Sequence, residues 1–449
     1  MKPPDRPRLN AIAGHIFGEF LLGYTTIIAG LWLASHTSDS AAGSLGLANQ
    51  VLESLYVVFR VLAIGMGVII TQLLGGEQKE SVRATSLAGL GACTWAGLAV
   101  GAFLLFGDRL ILDVLNAPEE IWPIAAPYLQ LLAPIAVLDA HNLTMASILR
   151  AHLHARDSLR VMVIMHCCHL ALAAPLMLGV GGWDGMGLNG FAVALLLSRI
   201  VGLTLHLVLW RRRMGLVPVA HDFWILKLRV LAPVLRIGIP GASAELGYRV
   251  AFMVSLATTA RLGVAALATH SYTLQLLRYV FLISFSIGWA CEIMVGRLVG
   301  AGRFRQADNL VRKGVRNGLL TSGTMAVVAA LAAPWLMRVF TKDPVIIDAA
   351  QTLLWIAVIL ETGRVFNLVV NCSLRATGDV IYPVAAGIGS HVLVLGFGSY
   401  LLGRAFGLPG IFIAYAADEW VRGLMMMARW HWYGWLPNAR TTQRRVRRR

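Results

Sequence analysis

Long apolar runs separated by short polar gaps dominate this chain. A hydrocarbon core about 30 Å thick needs roughly 20 apolar residues to cross as a helix. Backbone groups in lipid must bond internally, so such runs cross as helices. By hydropathy about twelve spans are predicted. The first six cover about 12–34, 45–74, 85–106, 122–148, 160–180 and 188–210. The second six cover about 237–258, 264–298, 317–339, 345–373, 381–402 and 408–432. The predicted fold class is an all-α polytopic membrane protein.

The widest polar gap runs from Arg211 to Arg249. It opens with Arg211, Arg212 and Arg213 and passes through the amphipathic stretch 221–234. The chain beyond this gap repeats the chain before it. Leu149-Arg150-Ala151 returns as Leu374-Arg375-Ala376, and Gln72-Leu-Leu-Gly75 as Arg297-Leu-Val-Gly300, both at the same offset in numbering. Leu22-Gly23-Tyr24 returns as Leu246-Gly247-Tyr248, one position short of that offset. Gly187-Leu-Asn-Gly190 returns as Gly407-Leu-Pro-Gly410, and Trp210 as Trp430, at an offset only slightly smaller. Matches in one order at nearly one offset indicate duplicated halves. The expected organisation is a six-helix bundle over 1–213, a cytoplasmic hinge linker over 214–236, a second six-helix bundle over 237–435 and a basic cytoplasmic tail over 436–449. An even number of spans per half gives both bundles one orientation, so a pseudo-two-fold axis runs along the membrane normal.

Composition agrees with this pattern. The chain is 57% hydrophobic and 14% charged, which leaves no separate soluble domain. Its 45 glycines suit close helix packing. The net charge of +16 sits mostly in alternate gaps, at Lys2, Arg6 and Arg8, Lys79 and Arg83, Arg150, Arg156 and Arg160, the hinge, Arg303 to Arg316, and the tail. That asymmetry places both termini in the cytoplasm. The basic tail is expected to touch anionic lipid, not nucleic acid. The N-terminal stretch Lys2 to Leu9 has no evident small-residue cleavage site after it, so the first run reads as a retained helix. The five cysteines all fall in apolar runs and are expected as free thiols.

Enzyme chemistry is not predicted. The chain lacks a G-x-x-x-x-G-K-[ST] loop and an H-E-x-x-H pair. His166-Cys167-Cys168-His169 resembles a metal cluster, but only the two histidines share a helix face. Ordinary packing is therefore expected there, with no metal and no cofactor.

Intramembrane charges carry the functional reading, because each costs about 2.5–3.5 kcal/mol to insert and persists when it pairs, faces a cavity or works. Glu19 and Glu245 occupy corresponding first spans, within a turn of equivalence. Neither Glu19 nor its surroundings in sequence offer an obvious partner, whereas Glu245 has Arg249 four positions on. Asp139 and Arg364 are equivalent at the offset of the Leu-Arg-Ala repeat, and Glu361 lies one turn before Arg364. Glu361 and Arg364 either lock helices as a buried pair or belong to a transport site. Glu53 has Arg60 further along its span. Asp418, Glu419 and Arg422 are explained as pairs three and four positions apart. Asp139 and Arg364 are expected to face one central cavity from opposite halves.

The chain as a whole resembles the multidrug and toxic compound extrusion, or MATE, family. The resemblance rests on the two six-span halves, on Gln72-Leu-Leu-Gly75-Gly76 and Gly296-Arg-Leu-Val-Gly300-Ala-Gly302, on Gly238-Ile-Pro240, on Leu374-Arg375-Ala376-Thr377-Gly378-Asp379, and on Gly187 and Gly407. It implies a V-shaped pair of bundles in a bacterial inner membrane that export organic cations or other drugs in exchange for H⁺ or Na⁺, as a monomer. The sequence departs from the family pattern at the cation site. The span-one aspartate of many relatives falls near Ala29, and the span-one proline near Glu19. The span-seven glutamate of one group falls near Tyr248, and its span-ten aspartate at Arg364. The candidate cation, proton or substrate residues are accordingly Glu19, Glu53, Asp139, Glu245, Tyr248, Glu361 and Arg364. A flippase for a lipid-linked oligosaccharide is the alternative, with Arg60, Arg249, Arg278 and Arg364 supplying a basic cavity. A non-transporting scaffold is the third reading.

Overall fold

A computed structural model of the chain describes residues 9–448; Lys2, Arg6, Arg8 and Arg449 lie outside the described residues. The described chain is built of helices: α1 (Leu9–Ser35), α2 (Asp39–Leu55), α3 (Val57–Gly75), α4 (Lys79–Phe106), α5 (Asp108–Val114), α6 (Trp122–Ala151), α7 (Ala155–Leu178) and α8 (Leu188–Leu209) come first. They are followed by α9 (Leu228–Ala260), α10 (Val264–Gly300), α11 (Phe304–Leu331), α12 (Ala333–Met337), α13 (Pro344–Thr377), α14 (Ile381–Ser390), α15 (Gly398–His431) and α16 (Leu436–Arg447).

Nine helical runs among the described residues are long and apolar enough to cross a membrane. The predicted twelve are reached when α9 and α11 are added and the run 381–431 is divided. Both added helices carry charge that lowers their mean hydropathy: Arg229, Arg236, Glu245 and Arg249 in α9, and Arg305, Arg312, Lys313 and Arg316 in α11. The long run 381–431 turns at Gly407 (φ 64°, ψ −144°), a backbone geometry that disfavours any side chain.

The duplication is visible in the backbone. Gly187 (φ 55°) precedes α8 in the same left-handed region as Gly407. Glu77 (φ 61°) and Gly302 (φ 74°) are a matched pair at the repeat offset, and so are Leu153 (φ 66°) and Gly378 (φ 92°). The helix ends of both halves are therefore closed in the same way. Trp210 and Trp430 are both buried.

By internal packing the chain forms two compact units. The N-terminal unit holds 18–70 and 79–238; the C-terminal unit holds 71–78, 239–448 and the start of α1 up to Phe17. The core of the first gathers Leu33, Leu45, Phe59, Tyr128, Leu132 and Phe191. That of the second gathers Leu277, Leu353, Leu360, Phe412 and Tyr415.

Three predicted segments take a different form. The second span breaks at Tyr56 into α2 and α3 and begins at Asp39, earlier than expected. The stretch 214–236 packs with the N-terminal unit: Trp95 Nε1 donates to the Trp224 carbonyl at 2.9 Å, and helix α9 already starts at Leu228. The tail forms α16, whose Ala439, Thr442 and Val446 are buried in the C-terminal unit, with Thr442 Oγ1 donating to the Thr377 carbonyl at 2.9 Å. Its arginines occupy the remaining faces of an amphipathic helix.

Candidate functional site

Each unit carries a cluster of buried or half-buried charge. The larger is in the C-terminal unit, between α13 and α15. Glu361 on α13 is fully buried and accepts a hydrogen bond from Arg364 one turn along. Arg364 also donates from Nε to Glu419 Oε1 on α15 at 3.1 Å. Glu419 Oε2 accepts from Asn367 Nδ2 at 2.8 Å and lies 3.2 Å from Arg422 NH2. Arg422 donates twice to Asp418 Oδ2, at 3.0 and 2.6 Å. Asp418 Oδ1 accepts from Ser390 Oγ at 2.6 Å, and its other oxygen lies 3.6 Å from His391 Nδ1. Ser284 donates to Ser322 at 2.8 Å, and Ser322 reaches Glu361 at 3.4 Å. The Arg364 guanidinium stands 5.3 Å from the Phe281 ring centroid.

The chain builds this cluster by helical spacing. Glu361, Arg364 and Asn367 follow at three-residue steps on α13, and Asp418, Glu419 and Arg422 share a face of α15. His391 opens a π-helical segment, His391–Phe397, between α14 and α15. Such wide turns often mark functional positions. The Tyr248 ring on α9 approaches the His391 ring edge-on at 5.4 Å. Among the described contacts of this cluster, three carboxylates share two guanidiniums. One negative charge is left for a proton, for His391 or for a bound cation.

The cluster of the N-terminal unit is smaller and balanced. Asp139 on α6 lies 2.6 Å from Arg199 Nε on α8, and its other oxygen accepts the Tyr56 hydroxyl at 2.5 Å. Tyr56 reaches it because it occupies the break between α2 and α3.

The remaining predicted residues are distributed more widely. Glu19, expected without an obvious partner, is buried against Arg150 NH1 at 2.6 Å. Arg150, expected as a loop positive, is itself buried at the last turn of α6. The reason is that a long side chain at a helix end can fold back along its own bundle. Its repeat partner Arg375, at the last turn of α13, hydrogen-bonds Glu292 on α10. Glu245 pairs with Arg249 at 3.6 Å, each side chain about 30% exposed. Glu53 is exposed near the end of α2, with the Tyr56 break between it and Arg60. Arg364, expected opposite Asp139, has its guanidinium bound by Glu361 and Glu419 within its own unit, and Asp139 is held by Arg199 in its own. His391, Asn367 and Ser390 escape sequence reasoning, because nothing marks them except polarity within an apolar run.

His166 and His169 are buried on one face of α7, with Cys167 exposed and Cys168 half-buried. All five cysteines are free thiols.

A family model described as MatE matches residues 16–175 and 240–401, one segment in each repeat. The chain belongs to the MATE family. Among its relatives, the uncharacterized transporter YisQ of Bacillus subtilis (strain 168) is 30% identical over 442 residues, 97% of this chain and 96% of that protein. The probable multidrug resistance protein NorM of Thermotoga maritima is 26% identical over 388 residues, 85% and 82% of the two chains. Solved structures repeat the fold. The Vibrio cholerae MATE transporter VcmN in its bent form gives a TM-score of 0.85 at 16% identity over 97% of each chain. A MOP-superfamily transporter from Pyrococcus furiosus, for which a reversed polarity of the binding pocket was taken to suggest a different function, gives 0.85 at 16% identity over 96% of each. The protein is thus a multi-pass membrane transporter of the MATE fold.

Proposed function

We propose that the protein exports organic cations or drug-like compounds in exchange for H⁺ or Na⁺, and that the Glu361–Arg364–Glu419–Arg422–Asp418 cluster holds the coupling cation. The observation that carries this reading is the surplus carboxylate, three acids against two guanidiniums in the C-terminal unit. A buried uncompensated charge is costly, so such a site gains a proton or a cation when closed from water. Glu361 is the most enclosed of the three acids. The substrate class follows the names of relatives such as the NorM proteins. The chain would act as a monomer in the bacterial inner membrane, with both termini cytoplasmic. A periplasm-only reporter active when fused after Arg449 would overturn that orientation.

The oligosaccharide flippase is the less supported reading. It asks for free arginines to hold a pyrophosphate, but Arg364 is engaged by two carboxylates and Arg249 lies beside Glu245.

The test is transport of a dye cation into inverted vesicles, with pH and Na⁺ gradients imposed separately. One gradient should drive accumulation, and Glu361→Gln should abolish the drive while the variant inserts normally. Accumulation that ignores both gradients, or a Glu361→Gln protein that remains coupled, would refute the assignment.

A further inference from the structure

Away from both buried clusters, the ends of α7 and α8 carry a second arrangement of charge, wholly within the N-terminal unit. Asp157, in the first turn of α7, is buried and accepts from Arg160 NH1 at 3.0 Å. It also lies 3.0 Å from Arg213 Nε and 3.8 Å from His154 Nδ1. Arg213 belongs to a π-helical turn, Trp210–Met214, that continues α8. Buried Trp210 anchors this turn and Gly215 closes it in the left-handed region (φ 65°, ψ 18°), so the three arginines between them stand exposed. Asp157 thereby holds two guanidiniums in place while leaving each about half exposed, at 54% and 49%.

Arg160, Arg212 and Arg213 line one groove with Asp157. Three guanidiniums against one carboxylate leave two positive charges in surplus. The groove, about 480 Å³, runs on between the helices over Val161, Ile164, Leu205, Val208 and Leu209. Ile164 and Val208 are 47% and 40% exposed, as side chains that meet acyl chains would be.

We propose that this groove binds an anionic phospholipid, with its phosphate on Arg160, Arg212 and Arg213 and one acyl chain along the apolar wall. Guanidinium forks pair phosphate oxygens two at a time, which an ammonium cannot do. Basic pockets at the mouths of membrane helices take anionic head groups. Asp157 pre-orients two of the forks, so less side-chain freedom is lost on binding. A free anion would use only the charged half of the site; the apolar half selects a lipid.

The full chain, purified in detergent, can be titrated with phosphatidylglycerol and phosphatidylcholine of identical chains and followed by native mass spectrometry. Phosphatidylglycerol should bind about tenfold more tightly, roughly one decade in Kd. The triple variant Arg160→Gln, Arg212→Gln, Arg213→Gln should lose that preference. Should it aggregate, Arg212→Gln alone leaves the Asp157 pairs intact and should still weaken phosphatidylglycerol about fivefold. Ile164→Trp keeps every arginine but fills the groove, and should weaken it by a similar factor. Equal binding of both lipids, unchanged preference in the arginine variants, or ready displacement by inorganic phosphate with Ile164→Trp silent would overturn the proposal.

Discussion

Asp139 and Arg364 occupy the same place in the two repeats, yet their surroundings differ in one respect that matters. Asp139 meets one guanidinium and one phenol, and its charge is cancelled within the N-terminal unit. Arg364 meets two carboxylates, and the cluster around it holds a third acid and one further base. One half therefore carries a closed pair, and the other a set in which three acids meet two guanidiniums and the His391 imidazole. A closed pair fixes helices at a cost or gain near zero relative to apolar packing. A set lacking one cation changes its energy whenever a proton or ion arrives. Duplication supplied the same scaffold twice, and side-chain replacement left one copy with more acids than guanidiniums.

The largest effect should follow Arg364→Ala. It leaves Glu361 and Glu419 buried without their shared base, and removal of one member of a buried pair typically costs about 3–5 kcal/mol. Thermal unfolding in detergent should show a drop greater than that of Tyr56→Phe by several-fold. Comparable losses would mean that Arg364 contributes no more than a single hydrogen bond. Next comes Glu361→Gln, which keeps shape and one acceptor but leaves two acids against two bases. The altered cluster resembles the balanced one in charge. The expected outcome is a folded protein whose transport falls about tenfold or more and no longer follows the driving gradient, an effect of at least roughly 1.4 kcal/mol on the coupled step. Retained coupling would remove the distinction between the clusters.

How much of this was legible in the chain depends on sequence distance. The spans, the duplication and the Glu361–Arg364 pair are local or periodic, and each can be read from spacing. So can the two contacts of Arg422 on α15, with Asp418 and Glu419. The bonds that join helices cannot. Nothing links Asp139 to Arg199, two helices further on, or Glu19 to Arg150, until α6 is packed against its neighbours. Arg150 and Arg375 illustrate the difficulty. Their position after an apolar run reads as a loop charge, whereas both lie on the last helical turn, turned inward to an acid on another helix. The break at Tyr56 was equally hidden. No glycine or proline marks it, yet it brings the phenol to Asp139.

A smaller effect should follow Tyr56→Phe. The substitution deletes the 2.5 Å hydrogen bond to Asp139 while leaving the ion pair with Arg199. A net loss of about 1 kcal/mol is typical for one such bond, with somewhat more expected when the acceptor is charged. Unfolding temperature measures it. If transport also becomes insensitive to the coupling gradient, the balanced pair takes part in coupling and the contrast between the halves weakens.

The smallest effect should follow Glu245→Gln. Glu245 lies on α9, about 30% exposed, and its pair with Arg249 at 3.6 Å joins residues of a single helix. Such pairs along one helix contribute about 0.2–0.5 kcal/mol, because two flexible side chains must be held together. The variant should therefore unfold within about half a kcal/mol of the parent. Transport is the sharper measurement. With the surplus acid assigned to the α13 and α15 cluster, Glu245→Gln should keep most of its gradient-driven export. If it instead loses coupling as fully as Glu361→Gln while remaining as stable as the parent, the cation is handed between α9 and the buried cluster. The acid one short step from Tyr248 would then belong to the coupling site, as its place in the first span of its repeat suggests.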